Sequence, residues 1–415
     1  MRPWRGTAKM KLKTGIERKD CCGCAACAEV CPKSALAMAP DADGFEYPEL
    51  DASACVDCGM CASVCPVAGE NSRGLFSGII STHAFVHNDE KVFAESSSGG
   101  AFTAIAQAFC GGDEKCAIFG VESASRSEAA HSEIESLSEI GKFRKSKYLQ
   151  SRTSGIFLKA RAGLRDGKKV LFSGTACQIA ALKLFLKKDY ENLLTVDVAC
   201  HGVSNSKLTE SYLRGCEKLY GKKISGYSFR NKGRRLGTDR SSFAEFRFAD
   251  GSLKKIDHDI LYWGFIKGLF TRESCGSCRF SGKERVADFT IADFWGIERL
   301  SEEFSAGRGC SLLCANTERA AKLLPQISAL GKTKEFEIAP ACECVGPLKG
   351  AREPAGAPRA EFLKLAREEG MLPALKKFVK MPSLFERALS FAIRRVPMPA
   401  PAKNALKKFS ARLQK

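Results

Sequence analysis

CCGCAACAEVCP at residues 21–32 returns as CVDCGMCASVCP at residues 55–66, and this duplicated stretch decides how the N-terminal part of the chain folds. Each copy has the spacing C-x2-C-x2-C-x3-C-P. A cysteine at every third residue lets one short loop direct three thiolates toward a common centre, while the fourth cysteine is carried away on the helix that follows. The stretch therefore predicts metal binding by eight cysteines.

This spacing resembles that of bacterial ferredoxins with two 4Fe-4S clusters, in which the last cysteine of each run binds the other cluster. The resemblance implies two ligand sets with exchanged fourth members: Cys21, Cys24, Cys27 and Cys65 for one cluster, and Cys31, Cys55, Cys58 and Cys61 for the other. The alternative is a structural zinc site, because C-x2-C pairs also bind zinc. Two runs of four that each end in Cys-Pro favour the clusters. Residues 35–38 and 45–48, separated by Asp43-Gly44, predict a small hairpin beside them.

Length and cysteine content bound the class of protein. A chain of 415 residues exceeds one ordinary core, so a small cluster domain followed by larger units is expected. Twenty cysteines in so long a chain, eight of them assigned to clusters, favour a reducing cytoplasm over a secreted disulfide scaffold. The basic residues 1–10 precede no apolar run of signal-peptide length, and no apolar run of about 18 residues predicts a membrane span.

The net charge of +18 is concentrated at the C-terminus. Residues 351–415 contain 15 Lys or Arg and 5 Asp or Glu, a balance of +10. Such a tail suits an acidic protein, a nucleic acid or an anionic membrane surface. Apolar residues within 384–393 share one helical face, for which docking on the protein's own core is favoured over peripheral membrane contact. No nucleic-acid-binding motif is present, so no nucleic-acid partner is expected.

The middle of the chain has an α/β pattern. Residues 169–173 predict a buried strand, 174–177 a turn and 178–186 a helix, and residues 193–198 predict the next strand, which ends before Cys200-His201-Gly202. Ligands of open α/β sheets bind at the carboxyl ends of the strands. We therefore expect Gly174 and Thr175 to contact a cofactor, with Cys177 and Cys200 nearby.

A second candidate site precedes a predicted helix at residues 103–109. Small side chains at a helix start leave backbone N–H groups free to face an anion, which predicts a phosphate cradle formed by Ser96, Ser97, Ser98, Gly99 and Gly100. The alternative is an ordinary helix cap or linker. Residues 141–150 are basic and include Lys147.

From about residue 79 to about 345 the chain resembles the beta subunit family of coenzyme F420 hydrogenases and dehydrogenases. The resemblance is carried, in order, by residues 96–100, 146–148, 173–178, 200–202, 274–278 and 292–296. It implies an FAD-binding iron–sulphur oxidoreductase in which Lys147 neutralises the diphosphate. It also implies a third 4Fe-4S cluster held by Cys177, Cys200, Cys275 and Cys278. The alternative for these four is a redox or zinc pair plus two buried thiols.

Two further details follow from the resemblance. Ala176 stands where the family more commonly has proline, which loosens the turn before Cys177 without removing a ligand. His201 is a candidate proton donor near the flavin, although an ordinary structural histidine is the simpler interpretation.

The sequence thus predicts a mixed α+β and α/β protein. Its units are a two-cluster ferredoxin domain at 1–70, a flavin oxidoreductase domain in two parts at 71–160 and 161–347, and a basic helical tail at 348–415. The predicted function couples hydride transfer at FAD to single-electron transfer through 4Fe-4S clusters in the cytoplasm. The expected partner is coenzyme F420, ferredoxin, a nicotinamide nucleotide or a redox subunit. The alternative is a non-catalytic subunit that relays electrons within a larger complex; a zinc-stabilised nucleic-acid-binding protein is a weaker third class.

Overall fold

The computed structural model describes residues 15–111, 115–233, 242–257, 259–304, 309–351 and 356–381. Two predictions, for the basic residues 1–10 and for the apolar helical face at 384–393, lie outside these ranges.

The strands follow the chain in this order: β1 Leu36–Pro40, β2 Glu46–Leu50, β3 Ser81–His87, β4 Cys116–Ser123, β5 Ala129–Ile134, β6 Lys169–Thr175, β7 Leu193–Val198, β8 Ile224–Lys232, β9 Ser242–Phe248, β10 Leu253–Ile256, β11 Phe289–Asp293, β12 Ser311–Ala315 and β13 Gly331–Phe336.

The α-helices are α1 Ala26–Glu29, α2 Met60–Ser63, α3 Glu90–Glu95, α4 Ala101–Cys110, α5 Ile156–Arg165, α6 Ala176–Leu186, α7 Ser206–Tyr220, α8 Ile260–Ile266, α9 Glu318–Ser328, α10 Ile338–Glu343, α11 Gly346–Lys349, α12 Gly356–Glu369 and α13 Met371–Phe378. Short 3-10 helices lie at Arg18–Asp20, Arg73–Leu75, Leu137–Phe143, Glu273–Ser277, Ile297–Arg299 and Glu302–Phe304.

A mixed eight-stranded sheet organises the part of the chain that follows the cysteine runs. Its strand order is β13-β3-β12-β11-β7-β6-β4-β5. Strands β11, β7, β6 and β4 are mutually parallel, whereas β12, β13 and β5 run antiparallel to their neighbours. Since β3 is antiparallel to β12, it runs in the same direction as β11. The carboxyl ends of β3, β11, β7, β6 and β4 therefore share one edge of the sheet.

Helices cover both faces of this sheet because its central strands are apolar on both sides. Phe119 and Phe172 belong to a buried cluster with α5 and α6, whereas their neighbours Ile118 and Leu171 belong to a cluster with α4 and α9. A second sheet, β10-β9-β8, packs with α7, α8, α12 and α13 in a third cluster. The part of the predicted basic tail that the structure describes is thus helical and docked on the protein.

The ferredoxin-like domain forms around the β1–β2 hairpin, which pairs Leu36 with Leu50 and Pro40 with Glu46. It is not an isolated module. Val30 and Val64 are buried in the same cluster as α5 and α6, and Phe45 is buried in the cluster of the second sheet. The domain therefore shares its core with the α/β part of the chain on two sides. The predicted boundaries after residues 70, 160 and 347 stay predictions.

The turn predicted at residues 174–177 differs in the structure. Gly174 and Thr175 are the last residues of β6 and pair with Asp197 and Val198, and α6 begins directly at Ala176. No separate turn is needed because the Thr175 N–H donates to Gln178 Oε1 at 3.0 Å, a capping box that starts the helix at once.

The structure joins Cys110 at the end of α4 to Cys116 at the start of β4 by a disulfide. This pairing departs from the expectation of reduced cysteines, which rested on composition alone. Cytoplasmic localisation stays a prediction. Among the described residues, none of the helices has the length and apolar character required to cross a membrane.

Candidate redox centre

Each predicted ligand set of the cysteine runs lines its own cavity. Cys21, Cys24, Cys27 and Cys65 line one, and Cys31, Cys55, Cys58 and Cys61 line the other. The exchange of Cys65 and Cys31 between the two runs, as expected from the spacing, thus matches the positions of the thiols. The first cavity is deep, with Cys24 and Cys65 buried, whereas Cys58 in the second is exposed beside Val56, of which 57% is exposed.

Matching left-handed residues shape the two loops. Gly23 and Ala25 in the first run have φ of 65° and 62°, and Asp57 and Gly59 at the equivalent positions have 59° and 72°. Left-handed backbone is uncommon for residues with a Cβ. Its recurrence at both positions bends each loop around its cavity, so that successive thiols face inward. The short helices α1 and α2 then carry the third cysteine of each run.

A third cavity gathers the four cysteines that are distant in sequence. Cys177, Cys200, Cys275 and Cys278 all line it. Cys177 is the second residue of α6, Cys200 follows β7, and the other two belong to the 3-10 helix at Glu273–Ser277 and its end. Parallel pairing of β6 with β7 places the first two at the same edge of the sheet. Cys275 is bound to this edge through Arg272, whose N–H donates to Val203 O at 2.8 Å.

Hydrogen bonds and burial define the electrostatics of these thiols. Thr175 Oγ1 lies 3.1 Å from Cys177 Sγ, and the Gly202 N–H donates to Cys200 Sγ at 3.4 Å. Burial raises the pKa of the Cys275 thiol to about 12 and that of Cys27 to about 12. Such thiols become thiolates only when a cation compensates the charge, which a metal centre provides. The donor set is thus suited to metal.

Four predicted thiolate ligands line each cavity, which is the number of cysteines that a 4Fe-4S cluster takes.

Sequence reasoning gave no role to Cys22, which stands beside Cys21 outside the repeated spacing. Cys22 lines both the third cavity and the cavity of Cys21, Cys24, Cys27 and Cys65. Its contact with Cys177, which lowers its pKa, is outweighed by contact with Cys24 and by burial, so that the pKa of Cys22 is well above its ordinary value. The two cavities therefore share Cys22 and Val67 in their walls. No spacing rule marks this position, because the contact depends on a helix more than 150 residues away.

Residues 144–153 connect the candidate phosphate cradle to the third cavity. At one end the Ser146 N–H donates to Ser97 Oγ at 2.8 Å. At the other end Gln150 Nε2 donates to Cys22 O at 3.0 Å, and Thr153 Oγ1 donates to Cys24 O at 2.8 Å. We call residues 144–153 the connecting segment. It forms hydrogen bonds near both predicted cofactor-binding regions.

The candidate cradle lies at the carboxyl end of β3. Ser98 Oγ donates to Cys310 O at 2.7 Å, and the Gly99 N–H donates to Ser311 Oγ at 2.9 Å. A Cβ on Gly99 would lie 1.9 Å from Phe85 O, so close approach to β3 already requires this glycine. Gly100 has φ of 92° and caps α4, while Ser96 Oγ donates to Val92 O at 2.7 Å. The phosphate-binding role of these residues stays a prediction.

One lysine contacts the cradle, and a second belongs to the connecting segment. Lys232 Nζ donates to Ser98 O and lies 3.3 Å from the centroid of the Phe93 ring. Lys147 Nζ donates to Arg144 O at 2.7 Å, and burial lowers the pKa of Lys147 to about 8. The predicted role of Lys147 toward a diphosphate is untested. Lys232 was not predicted, since it lies on β8 of the second sheet.

Aromatic and charged groups occupy the space between the cradle and the third cavity. Tyr148 of the connecting segment packs on Phe265 with ring centroids 4.9 Å apart. Arg230 forms a salt bridge with Asp293 at the end of β11 and lies 4.9 Å from the centroid of the Trp295 ring. His201 Nε2 lies 3.4 Å from Ile266 O, a contact that fits a structural role as well as the predicted catalytic one.

Comparison with known proteins agrees with this architecture. Residues 20–68 match the model of the 4Fe-4S dicluster domain, and residues 167–340 match the model of the C terminus of the coenzyme F420 hydrogenase/dehydrogenase beta subunit. The chain is thus an iron–sulphur protein with an N-terminal dicluster domain. The second domain is the C-terminal domain of beta subunits in the coenzyme F420 hydrogenase/dehydrogenase family, which confirms the resemblance inferred from the sequence.

Among solved structures, a chain of the xenon-derivatised F420-reducing NiFe hydrogenase complex from Methanosarcina barkeri is similar. The identity is 14% with a TM-score of 0.45, over 73% of this chain and 92% of that one. No curated protein matches the sequence.

Proposed function

We propose that this chain is an iron–sulphur flavoprotein oxidoreductase that couples hydride transfer at FAD to single-electron transfer through three 4Fe-4S clusters. The observation that carries the proposal is the third cavity. Four cysteines from three separate parts of the chain line it, at the edge of the sheet where α/β proteins bind ligands. Its other wall is Cys22 of the dicluster domain. The third cavity therefore has residues of both the dicluster domain and the α/β part of the chain in its wall.

The residues of the chain supply ligands, positioning and electrostatics. Cys177, Cys200, Cys275 and Cys278 would hold the third cluster, and the two sets in the dicluster domain would hold the others. Ser96–Gly100, Gly174, Thr175 and Lys147 are the residues proposed to hold FAD. A bound flavin takes up two electrons as a hydride and releases them singly, which is the chemistry required between a two-electron carrier and a cluster.

The charges of the cradle support a dinucleotide. Lys232 Nζ donates to Ser98 O of the cradle, and Lys147 follows Ser146, whose N–H donates to Ser97 Oγ. The connecting segment continues from the cradle to the third cavity. Lys147, whose pKa burial lowers to about 8, regains its full charge beside a diphosphate because an anion favours the protonated amine. Tyr148 of the connecting segment packs on Phe229 and Phe265, with ring centroids 5.7 and 4.9 Å away.

Anaerobic purification followed by iron, sulphide and flavin analysis tests the cofactor content. Three clusters require about 12 irons per chain, and the dicluster domain alone accounts for about 8. Cys275→Ser is expected to remove one cluster signal and about 4 irons. The matched control is Cys216→Ser, a buried cysteine outside all three cavities, which should retain full iron content. Equal iron content in the Cys275→Ser variant and the wild type would reject the third cluster.

A donor screen distinguishes an enzyme from an electron relay. Reduced coenzyme F420, NADH, NADPH and reduced ferredoxin are each mixed with the isolated chain while bleaching of the flavin absorbance is followed. The proposal expects rapid bleaching by at least one hydride donor. Bleaching only after a partner subunit is added would contradict catalysis by this chain alone and favour the relay.

A further inference from the structure

Arg272 is a buried cation that lines the third cavity. Only 1% of its surface is exposed, and it lies three residues before Cys275. Its guanidinium bonds to three neutral oxygens: Nε donates to Gln150 Oε1 at 2.7 Å, Nη1 to Cys21 O at 3.1 Å and Nη2 to Glu46 O at 2.7 Å. None of the ion pairs among the described residues involves Arg272. Its hydrogen bonds are therefore satisfied, and the ring centroids of Tyr47 and Phe45 lie 4.6 and 5.5 Å from its guanidinium carbon, but no carboxylate neutralises its charge.

Two other arginines that line the same cavity provide a comparison. Arg285 is equally buried, but its Nη2 lies 2.8 Å from Asp197 Oδ1, and that carboxylate is fully buried with it. Arg279 is exposed and donates to Gly69 O at 3.1 Å. A carboxylate neutralises the first charge and solvent screens the second. Arg272 alone among the three is both buried and without a carboxylate.

Burying a charge is costly unless an opposite charge compensates it. Five cysteines line the cavity with Arg272, namely Cys22 and the four proposed cluster ligands. Cys21, whose carbonyl accepts from Arg272, belongs to the adjacent cavity. Four thiolates around a 4Fe-4S core carry net negative charge, which increases by one when the cluster gains an electron. Metal centres in these cavities would supply the counter-charge that Arg272 lacks, and its stabilisation of them would grow on reduction.

We infer that Arg272 is a positioning residue that sets the reduction potential of the cluster held by Cys177, Cys200, Cys275 and Cys278. This inference rests on the proposed function. The Arg272 charge favours the reduced, more negative state of that cluster. Its bonds to Cys21 O and Gln150 also fix the dicluster domain against the sheet edge, so position and potential depend on one side chain.

The test is an EPR-monitored redox titration of the full-length protein, in which the third cluster is the signal absent from Cys275→Ser. Arg272→Gln should make reduction of this cluster at least about tenfold less favourable, a negative shift of about 59 mV for one electron. Arg272→Lys retains the charge and should retain most of the potential. Arg279→Gln, which removes an exposed charge from the same cavity, is the matched control and should give a much smaller shift.

Gln150→Glu provides a second route that does not remove Arg272. It places a carboxylate at the position of an existing acceptor, 2.7 Å from Arg272 Nε. Neutralising the arginine in this way should shift the potential in the same negative direction. If Arg272→Gln loses iron, the reduction potential of the third cluster in Gln150→Glu tests the inference instead.

Unchanged potentials in whichever of the two variants retain iron would overturn the inference, even if both variants were less stable. Wild-type protein with only about 8 irons would instead overturn the third cluster itself, and with it the inference. Failure of the inference and failure of the proposed function are thus distinguishable from the iron content.

Discussion

His131 is a buried histidine on β5 whose two ring nitrogens are both engaged. Nδ1 lies 3.0 Å from Ser151 Oγ, and Nε2 lies 3.0 Å from Ser173 O. Burial lowers its pKa from 6.5 to about 4, although the Ser173 bond opposes the shift. As pH falls from about 6.5 to about 4, the unfolded chain takes up a proton that the folded chain refuses. The free energy of unfolding therefore falls over this window.

We expect the burial of neutral His131 to lower the free energy of unfolding by ~3 kcal/mol at the acidic end of the window. His131→Gln, whose amide can still donate to Ser173 O, should be less sensitive to acid. Urea unfolding of both proteins between pH 4 and 6.5 checks this. Parallel curves of unfolding free energy against pH would contradict the assignment.

Gly99 is required by backbone packing whether or not the cradle binds phosphate. The Cβ of Gly99→Ala would lie 1.9 Å from Phe85 O and 2.6 Å from Ser311 N. We expect a loss of ~3 kcal/mol in unfolding free energy, since backbone atoms cannot yield as a flexible side chain does. Thermal unfolding measures the effect. Gly78→Ala, with open space around the added Cβ, is the control, and equal melting temperatures for the two variants would reject the packing argument.

The sequence identified candidate ligands by spacing within residues 21–65 and, through the family resemblance, at Cys177, Cys200, Cys275 and Cys278, which line one cavity. The eight cysteines of residues 21–65 could be assigned because loop geometry fixes their spacing. Arg272 could not be found in this way, because its partners Cys21 and Glu46 are more than 220 residues away. The proposed role of Arg272 depends on its burial, which no local sequence pattern encodes.

Among the elements, α6 begins directly after β6 through a capping box. Thr175 Oγ1 also lies within contact of Cys177 Sγ. Thr175→Ala should cost ~1 kcal/mol of stability and also alter the spectrum of the third cluster, because a ligand loses its neighbouring hydroxyl. Calorimetry and EPR on the same sample check both effects.

Thr317→Ala offers a control at the start of α9, where the Thr317 side chain accepts from the Ala320 N–H. A similar loss of stability is expected there, without a change in any cluster signal. A spectrum of Thr175→Ala identical to that of the wild type would show that the hydroxyl only caps the helix.

Most elements of the α/β part were predictable, because strands such as β6 and β7 are continuous apolar runs between turn residues. The boundaries of these elements were less predictable. The predicted turn at 174–177 is absent because sheet pairing extends through Gly174 and Thr175. The sequence pattern of residues 260–270 predicts a helix, which ends at Ile266, and that of residues 287–296 predicts a strand, which is limited to Phe289–Asp293. In each case pairing or packing with distant elements decided where the element ended.

For the whole molecule, the three cavities differ in their access to solvent. Cys58 is exposed, whereas Cys24 and Cys65 are buried. We therefore expect a chelator, applied under mild oxidation, to remove about one third of the iron in a fast first phase. Iron release followed by absorbance measures the phases, and Cys58→Ser should lack the fast one. Release in a single phase would contradict the difference in burial.

The two-sided burial of the ferredoxin-like domain has a kinetic consequence. Redox proteins that carry electrons on a tethered, swinging domain slow down as glycerol thickens the solvent. Here Val30 and Val64 are buried on one side and Phe45 on the other, so the distances between the three cavities are set by packed side chains. Electron exchange within the chain should be independent of viscosity. Only the arrival of an outside carrier, which is a diffusional encounter, should slow as the viscosity rises.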